Sequence, residues 1–347
     1  MKLVDIAKIR SGSSFDGFDF MFVLPIIFFI IIFVIVIVSI VKGTKKNKEK
    51  AERMKQRAQA EQADVIEKYY QILSNDVELN KKRKSAVIAS KVTTICVIVG
   101  FLTFMFMPFV GMPLLLFGVI YGAIKSSGYN KHYKELVMVP ALKDYDENLT
   151  YDPTGMISRE DYAYARFESF DTYSSSDKID GSLNGMPFVM ANVHTQDRRT
   201  DSDGDTHYVT LFRGFVVILD LQRHTEQNIS IVDNRVKLFR GDTYVEIDNP
   251  EFEEFYDVFT TDKIKAMQVL SPSVTNKILD LHKKHDYYFE IKLIDNLLYL
   301  RFNTGTLFTP CASNPRQEAI DIAIYFGLLD GIKEALNEIV EATKVVK

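Results

Sequence analysis

Tryptophan is missing from this 347-residue chain, and cysteine occurs only twice. The 25 phenylalanines and 17 tyrosines must therefore supply the large core anchors and any aromatics at a membrane interface. Cys96 and Cys311 stand alone, with no spacing that suggests zinc or a disulfide framework, which suits a reducing compartment. Gly-x-Gly and Gly-Lys-Ser/Thr patterns are missing, so no glycine loop is in place to cradle phosphate. No Gly-x-Ser-x-Gly elbow marks a serine nucleophile. On this reading the chain carries no catalytic residue, no cofactor site and no metal site.

Charge is the next scarcity. Between Ser85 and Ser127, a stretch of 43 residues, the charged side chains are Lys91 and Lys125. One membrane-crossing helix needs about 20 apolar residues, so this stretch is twice too long for one. Its middle, Met107-Pro108-Phe109-Val110-Gly111-Met112-Pro113, holds two prolines and a glycine. Proline removes a backbone donor and clashes with the preceding turn, so the helix must break there. The expectation is a helical hairpin over 85–127, with spans at about 87–107 and 109–125.

An earlier apolar run, Phe20–Val41, has the length of a single span and follows a short polar segment, 1–19. A cleaved signal peptide is the rival reading. The run exceeds the usual length of about 7–15 residues for such a core, and Lys42, Lys45 and Lys46 follow it like a stop-transfer flank. Residues 42–84 then carry 13 Lys and Arg against 7 Asp and Glu. Val65, Ile66, Tyr69, Ile72 and Leu73 recur there at helical spacing. That stripe belongs either to a solvated linker helix or to a pairing surface for a partner or a second copy.

The basic residues set the expected topology. Lys42, Lys45, Lys46, Lys81, Lys82, Arg83, Lys84, Lys91 and Lys125 would meet anionic lipid headgroups of the bilayer. By the positive-inside rule the linker is cytoplasmic, the N-terminus outside and the domain at 128–347 inside, as a multi-pass protein of a bacterial plasma membrane. Lys91, about one turn inside its span, either snorkels to the interface or acts as a functional charge. The soluble part is acidic: residues 150–347 carry 21 Lys and Arg against 32 Asp and Glu. That balance disfavours nucleic acid, whose binding rests on neutralising phosphates.

From residue 150 the pattern turns to period two. Asn184-Gly185 between 179–183 and 186–194 is a type I′ hairpin signal, and Asp295-Asn296 marks a second hairpin. Arg213-Gly214 suggests a bulge in a long strand over 206–221. Further strands are expected at 228–233, 235–240 and 243–248, with extended segments at 258–260 and 266–270 around Asp262. Asn249-Pro250, Ser271-Pro272 and Asn314-Pro315 each read as a cap followed by a first-turn proline. The last opens a long amphipathic helix to about residue 345. The fold class is α+β: a single span plus a helical hairpin, then a mainly antiparallel sheet with packed helices.

Four blocks carry a family resemblance: IDGSLNGMPFVMANVHT at 179–195, YVTLFRGFVVILDL at 208–221, DNPEFEEFYDVFTTDKIKAMQVLSPSVTNKILDL at 248–281 and FEIKLIDNLLYLRF at 289–302. The chain resembles the bacterial membrane proteins that hold domain of unknown function 3137, over most of residues 130–315. The resemblance implies an integral membrane protein with a cytoplasmic α+β domain and supplies no activity. It also implies a protein partner, of which a LemA-like membrane protein is one kind, since members are often encoded beside such proteins.

The remaining chemistry is sparse. Asp201-Ser202-Asp203-Gly204-Asp205 looks like a calcium loop, yet the positions that need Gly and Glu hold Thr206 and Phe212. His194 and His207 flank that loop and would have to converge with Asp203 and Asp205 to hold a metal. His282 and His285 lie near a helix end, where the dipole favours cations. Glu251, Glu253, Glu254, Asp257 and Asp262 alternate with Phe252, Phe255, Tyr256 and Phe259; Phe252, Phe255 and Phe259 are expected as core anchors and the acids as a solvated face. The expected function is a non-enzymatic binding or scaffolding module; the alternative is a membrane-bound hydrolase with a dispersed site.

Overall fold

The computed structural model describes residues 52–225, 228–234, 243–285, 287–310 and 314–345. The chain divides between Met54 and Lys55, and the unit from Lys55 onward holds everything below. The expected span at 20–41 and strand at 235–240 lie outside the described residues.

Helix α1 (Ala63–Asn75) meets α2 (Val77–Phe106) at Asp76, whose side chain accepts from the Leu79 amide and caps the longer helix. After Met107, α3 (Pro108–Tyr133) starts on a proline, where the missing N–H costs nothing. The break falls where the Pro-Gly composition put it. A widened π turn, Lys134–Met138, then leads into α4 (Val139–Tyr145). Pro140 follows the wide turn closely and cannot donate into a regular α ladder.

Among the described residues the sheet is nine-stranded and wholly antiparallel. Its strands are β1 (Thr150–Asp152), β2 (Thr172–Leu183), β3 (Met186–Thr200), β4 (Thr206–Asp220), β5 (Ile229–Asp233), β6 (Thr243–Val245), β7 (Tyr256–Thr260), β8 (Phe289–Ile294) and β9 (Leu297–Phe302). Their order is β1-β2-β3-β4-β9-β8-β5-β7-β6. Asn184 and Gly185 both take positive φ at the β2–β3 turn, as a type I′ turn requires. The β3–β4 bulge lies between Thr195 and Gln196 rather than at Arg213-Gly214. Gly214 has a different role: a Cβ there would fall 1.8 Å from the Phe302 carbonyl oxygen, so only glycine lets the strands approach.

Period two sorts the side chains between two cores. Phe215, Val217 and Leu219 of β4 join Leu298, Leu300 and Phe302 of β9 on one face. Phe212, Val216, Ile218 and Tyr299 line the other, under α5 (Arg159–Tyr164). The first face is covered by α1, α4, α8 (Pro272–His285) and α9 (Pro315–Val345). Each Asn-Pro or Ser-Pro pair opens a helix as expected, including the short α6 (Pro250–Glu253).

Three expectations change. Residues 266–270 are not extended: Asp262 caps the amides of Ile264 and Lys265 and starts helix α7 (Lys263–Val269). Most of the apolar stripe of the linker does not face solvent, although Ile72 does. Ile66, Tyr69 and Leu73 are buried, and the Tyr69 ring packs edge-on against Phe326 of α9. His282 and His285 lie in the last turn of α8 as expected, but both are buried, and burial holds the His285 imidazole down instead of favouring its cation.

Candidate functional site at the base of the hairpin

The two hairpin helices pack through small residues. A Cβ on Gly111 would lie 2.3 Å from the Phe104 amide nitrogen, and one on Gly118 would lie 2.5 Å from the Cys96 Cβ. Gly118 and Gly122 form a Gly-x-x-x-Gly pair on the seam, and Thr93 Oγ1 donates to the Gly118 carbonyl at 2.8 Å. Small-residue seams of this kind associate helices where the solvent is as apolar as the side chains. The outward faces are apolar and exposed from Ile88 to Ile124. Both helices have the length and composition of membrane spans.

Below this seam the same helices enter the α+β core through two buried ion pairs. Arg83 of α2 is 4 % exposed and lies 2.6 Å from Glu318 of α9, which is fully buried. The Tyr129 hydroxyl of α3 donates to the other Glu318 oxygen, and Arg83 Nε reaches Tyr129 Oη at 3.3 Å. Arg83 also donates to Asn80 Oδ1. One carboxylate thus ties the descending helix, the returning helix and the C-terminal helix together. Burial pushes the Glu318 carboxyl up, while the bonds from Arg83 and Tyr129 pull against it.

The second pair sits at the π turn. Lys134 Nζ lies 2.5 Å from Asp177, a fully buried carboxylate of β2. The Tyr151 hydroxyl donates to Asp177 at 2.5 Å, and Asn192 Nδ2 donates at 3.0 Å. Asn192 also exchanges bonds with the Leu307 backbone, accepting at 2.9 Å and donating at 3.0 Å. Asp177 has φ of 60° at an irregularity of β2 between Ser176 and Ile179, and its carboxylate meets Lys134 of the π turn. Further out, Lys333 meets Asp146 at 2.6 Å and Lys68 meets Asp144 at 2.5 Å, holding the end of α4 to α9 and α1.

The basic residues expected at headgroups divide. Lys81, Lys84, Lys91 and Lys125 are exposed. Lys82 is half-buried, 3.4 Å from Glu78 and 3.1 Å from His132 Nδ1. Arg83 departs from the expectation because its guanidinium is enclosed by the core. Lys42, Lys45 and Lys46 lie outside the described residues.

The scattered candidates for chemistry stay apart. His194 pairs across the β3–β4 ladder with Arg213, and His207 pairs with Arg199 several rungs away. His207 Nδ1 reaches Asp201 at 3.4 Å, and His194 reaches Thr210 Oγ1 at 3.1 Å. Burial and the Arg213 charge push the His194 imidazole down. The Asp201–Asp205 segment is the turn of that ribbon, with the Gly204 amide on the Asp201 carbonyl. Among the described residues no group of three or more His, Cys, Asp or Glu is placed to hold a metal ion. Of the acidic-aromatic block, Phe252 is a core anchor, Glu251 meets Lys283 at 2.6 Å, and Asp262 is a cap.

A third network, on the opposite sheet face, escaped sequence reasoning. Arg301 lies between the Phe167 and Phe212 rings, 4.2 and 4.9 Å from their centroids, and pairs with Glu290 at 2.8 Å and with Glu168. Thr195 donates to Glu168 at 2.9 Å, so charges and donors are spent within the cluster. No sequence signal joins residues this far apart.

Comparison with known proteins places the C-terminal part. Residues 210–346 match the family described as protein of unknown function (DUF3137). The match runs from within β4 to the end of α9, and so includes Glu318 and Arg301. Three of the four sequence blocks fall wholly or mostly inside the DUF3137 segment; the one at 179–195 precedes it. No curated protein matches the chain. Among solved structures, the crystal structure of the mycobacterial trehalose monomycolate transport factor A, TtfA, is similar at 11 % identity and a TM-score of 0.29, covering 56 % of this chain and 95 % of that one.

Proposed function

We propose that this protein is a membrane-anchored, non-enzymatic scaffold: an α+β binding domain built onto a lipid-embedded helical hairpin. What carries the reading is the hairpin base. Chain from before the hairpin (α1) and after it (α4 to α9) closes into one core, so both ends of the hairpin leave the same side of that core. Removing one partner from a buried ion pair costs about 3–5 kcal/mol, so two such pairs make a stiff joint. Movement of the hairpin in the bilayer would be felt in the domain, which suits a module that presents a binding surface at the membrane.

Lys81, Lys84, Lys91 and Lys125 would meet anionic headgroups on the cytoplasmic face of a bacterial plasma membrane, with the domain inside and the N-terminus outside. The ligand of the domain is a protein or peptide, of which a LemA-like membrane protein is one candidate. The test is crosslinking and affinity capture of the full-length protein from native membranes after carbonate washing. The expected result is retention in the membrane pellet, digestion of the domain in inside-out vesicles only, and recovery of a stoichiometric protein partner. Substrate turnover by the purified protein in a broad hydrolase screen would overturn the scaffold reading.

A further inference from the structure

The far end of the hairpin has a different composition from any loop that emerges into water. From Phe104 to Ile120 no residue is charged and none bears a polar side chain. Phe106 is 83 % and Phe109 95 % exposed, so the most protruding side chains of the tip are aromatic hydrocarbon. The turn also satisfies part of its polar backbone internally. The Met107 amide donates to the Thr103 carbonyl, and the amides of Val110 and Gly111 donate to the Met107 carbonyl, while Pro108 has no donor. Backbone satisfied in this way is tolerated in lipid.

The seam contacts set the heights. Gly100 faces Leu115, Cys96 faces Gly118 and Thr93 faces Gly122, so the exposed Lys91 and Lys125 stand at nearly the same level on the two helices. Lys91 is 16 residues before Met107, and Lys125 is 17 residues after Pro108. At about 1.5 Å per residue the tip stands about 24–26 Å beyond this cationic collar. A typical hydrocarbon core is about 30 Å thick. Snorkelling stems lower the collar by a few ångströms, and helix tilt takes some of that reach back.

We infer that the hairpin is re-entrant: its Phe106–Phe109 tip ends within the hydrocarbon of the opposite leaflet and never meets water on the far face. The occupant of the exposed apolar surface is lipid acyl chain, over the whole tip. This rests on the membrane-anchor reading proposed above and narrows it, because a full crossing would place these phenylalanines in water.

The test uses the full chain with both native cysteines replaced (C96A, C311S), in vesicles of phosphatidylcholine and phosphatidylglycerol. Single cysteines enter as F109C, M107C and K84C. An impermeant maleimide is added to either face, and an environment-sensitive fluorophore on the tip is challenged with lipids brominated at different acyl depths. The expected result is labelling of K84C from one face, no labelling of F109C or M107C from either, and strong quenching of the tip by acyl-brominated lipid. Labelling of both tip cysteines from the face opposite K84C would overturn the re-entrant geometry and leave the anchor reading intact. Labelling of tip and K84C from the same face, with loss of the protein on carbonate washing, would overturn both. A tip that is protected but not quenched by brominated lipid would also overturn it, since protein rather than lipid would then cover Phe109.

Discussion

The same two helices are held together in two ways along their length. Above Lys91 and Lys125 the contact is Gly111, Gly118 and Gly122 against Phe104, Cys96 and Thr93, with one side-chain hydrogen bond. Below that level Arg83, Glu318, Tyr129, Lys134 and Asp177 form buried charge networks. On the proposed placement of the hairpin in lipid there is no hydrophobic gain from bringing apolar helices together, so close backbone approach must supply the attraction. At the base the surrounding solvent is water, burial of α1, α4 and α9 supplies the attraction, and the buried ions confer geometry instead of net stability. The level of the two lysines marks where one mode of adhesion gives way to the other.

The largest expected break is at the base. Arg83→Ala leaves Glu318 buried without its cation and should cost about 3–5 kcal/mol. Thermal unfolding followed by circular dichroism would show it, and R83M/E318L should recover much of the loss. A double variant no better than R83A would mean that the loss does not come from an orphaned charge and that the pair itself adds net stability. Within the hairpin, Gly111→Leu or Gly118→Leu forces a side chain into a filled seam at a cost of about 1–3 kcal/mol. The exposed Ile120, changed to Ala, is the control, and equal effects at the two positions would deny the seam its role.

Acidity separates the regions further, because titratable groups cluster at the base. Burial is the main cause that raises Asp321 of α9 to about 6; Gln317 and Lys55 oppose it and Glu318 adds to it. Its contribution to stability is therefore complete below the unfolded value and is lost as pH rises through about 6. Burial, helped by Lys284 and Arg57, holds His285 down at about 4. That contribution is present above the unfolded histidine value and is lost as pH falls toward 4. The two slopes oppose each other between about pH 4 and 6, each by at most about 1.4 kcal/mol per pH unit. Asp321→Asn should make the protein more acid-sensitive and His285→Gln less so, in urea titrations at stepped pH. Parallel shifts of both variants would reject this assignment.

The smallest effect belongs to the seam's hydrogen bond. Thr93→Val removes the donor to Gly118 but keeps the shape, and bonds of this kind in membranes average about 0.6 kcal/mol. A loss as large as that of R83A, in the same detergent, would contradict a seam held mainly by close packing.

The hairpin was legible because its signals are local: a 43-residue apolar stretch broken by Pro108, Gly111 and Pro113. The β2–β3 turn at Asn184-Gly185 and the proline-led helices were legible for the same reason. The base was not. Arg83 stands in the run Lys81-Lys82-Arg83-Lys84 and looks like its neighbours, while its partner is 235 residues away. Asp177 owes its place to an irregular strand that no residue type announced. In α7, the side chain of Asp262 outweighed the extended pattern around it. The stripe Ile66, Tyr69 and Leu73 was readable as helical, but nothing in it named α9 as its cover.

The separation between Arg83 and Glu318 also sets an order of assembly. Ribosomes extend a chain at about 5–20 residues per second, so roughly ten to fifty seconds pass between the emergence of the arginine and that of the glutamate. Throughout that interval Arg83 is one more cation beside Lys81, Lys82 and Lys84, without its buried carboxylate partner. Only when α9 is complete can the guanidinium be enclosed with Glu318 and Tyr129. The hairpin is thus made first and its base locked last.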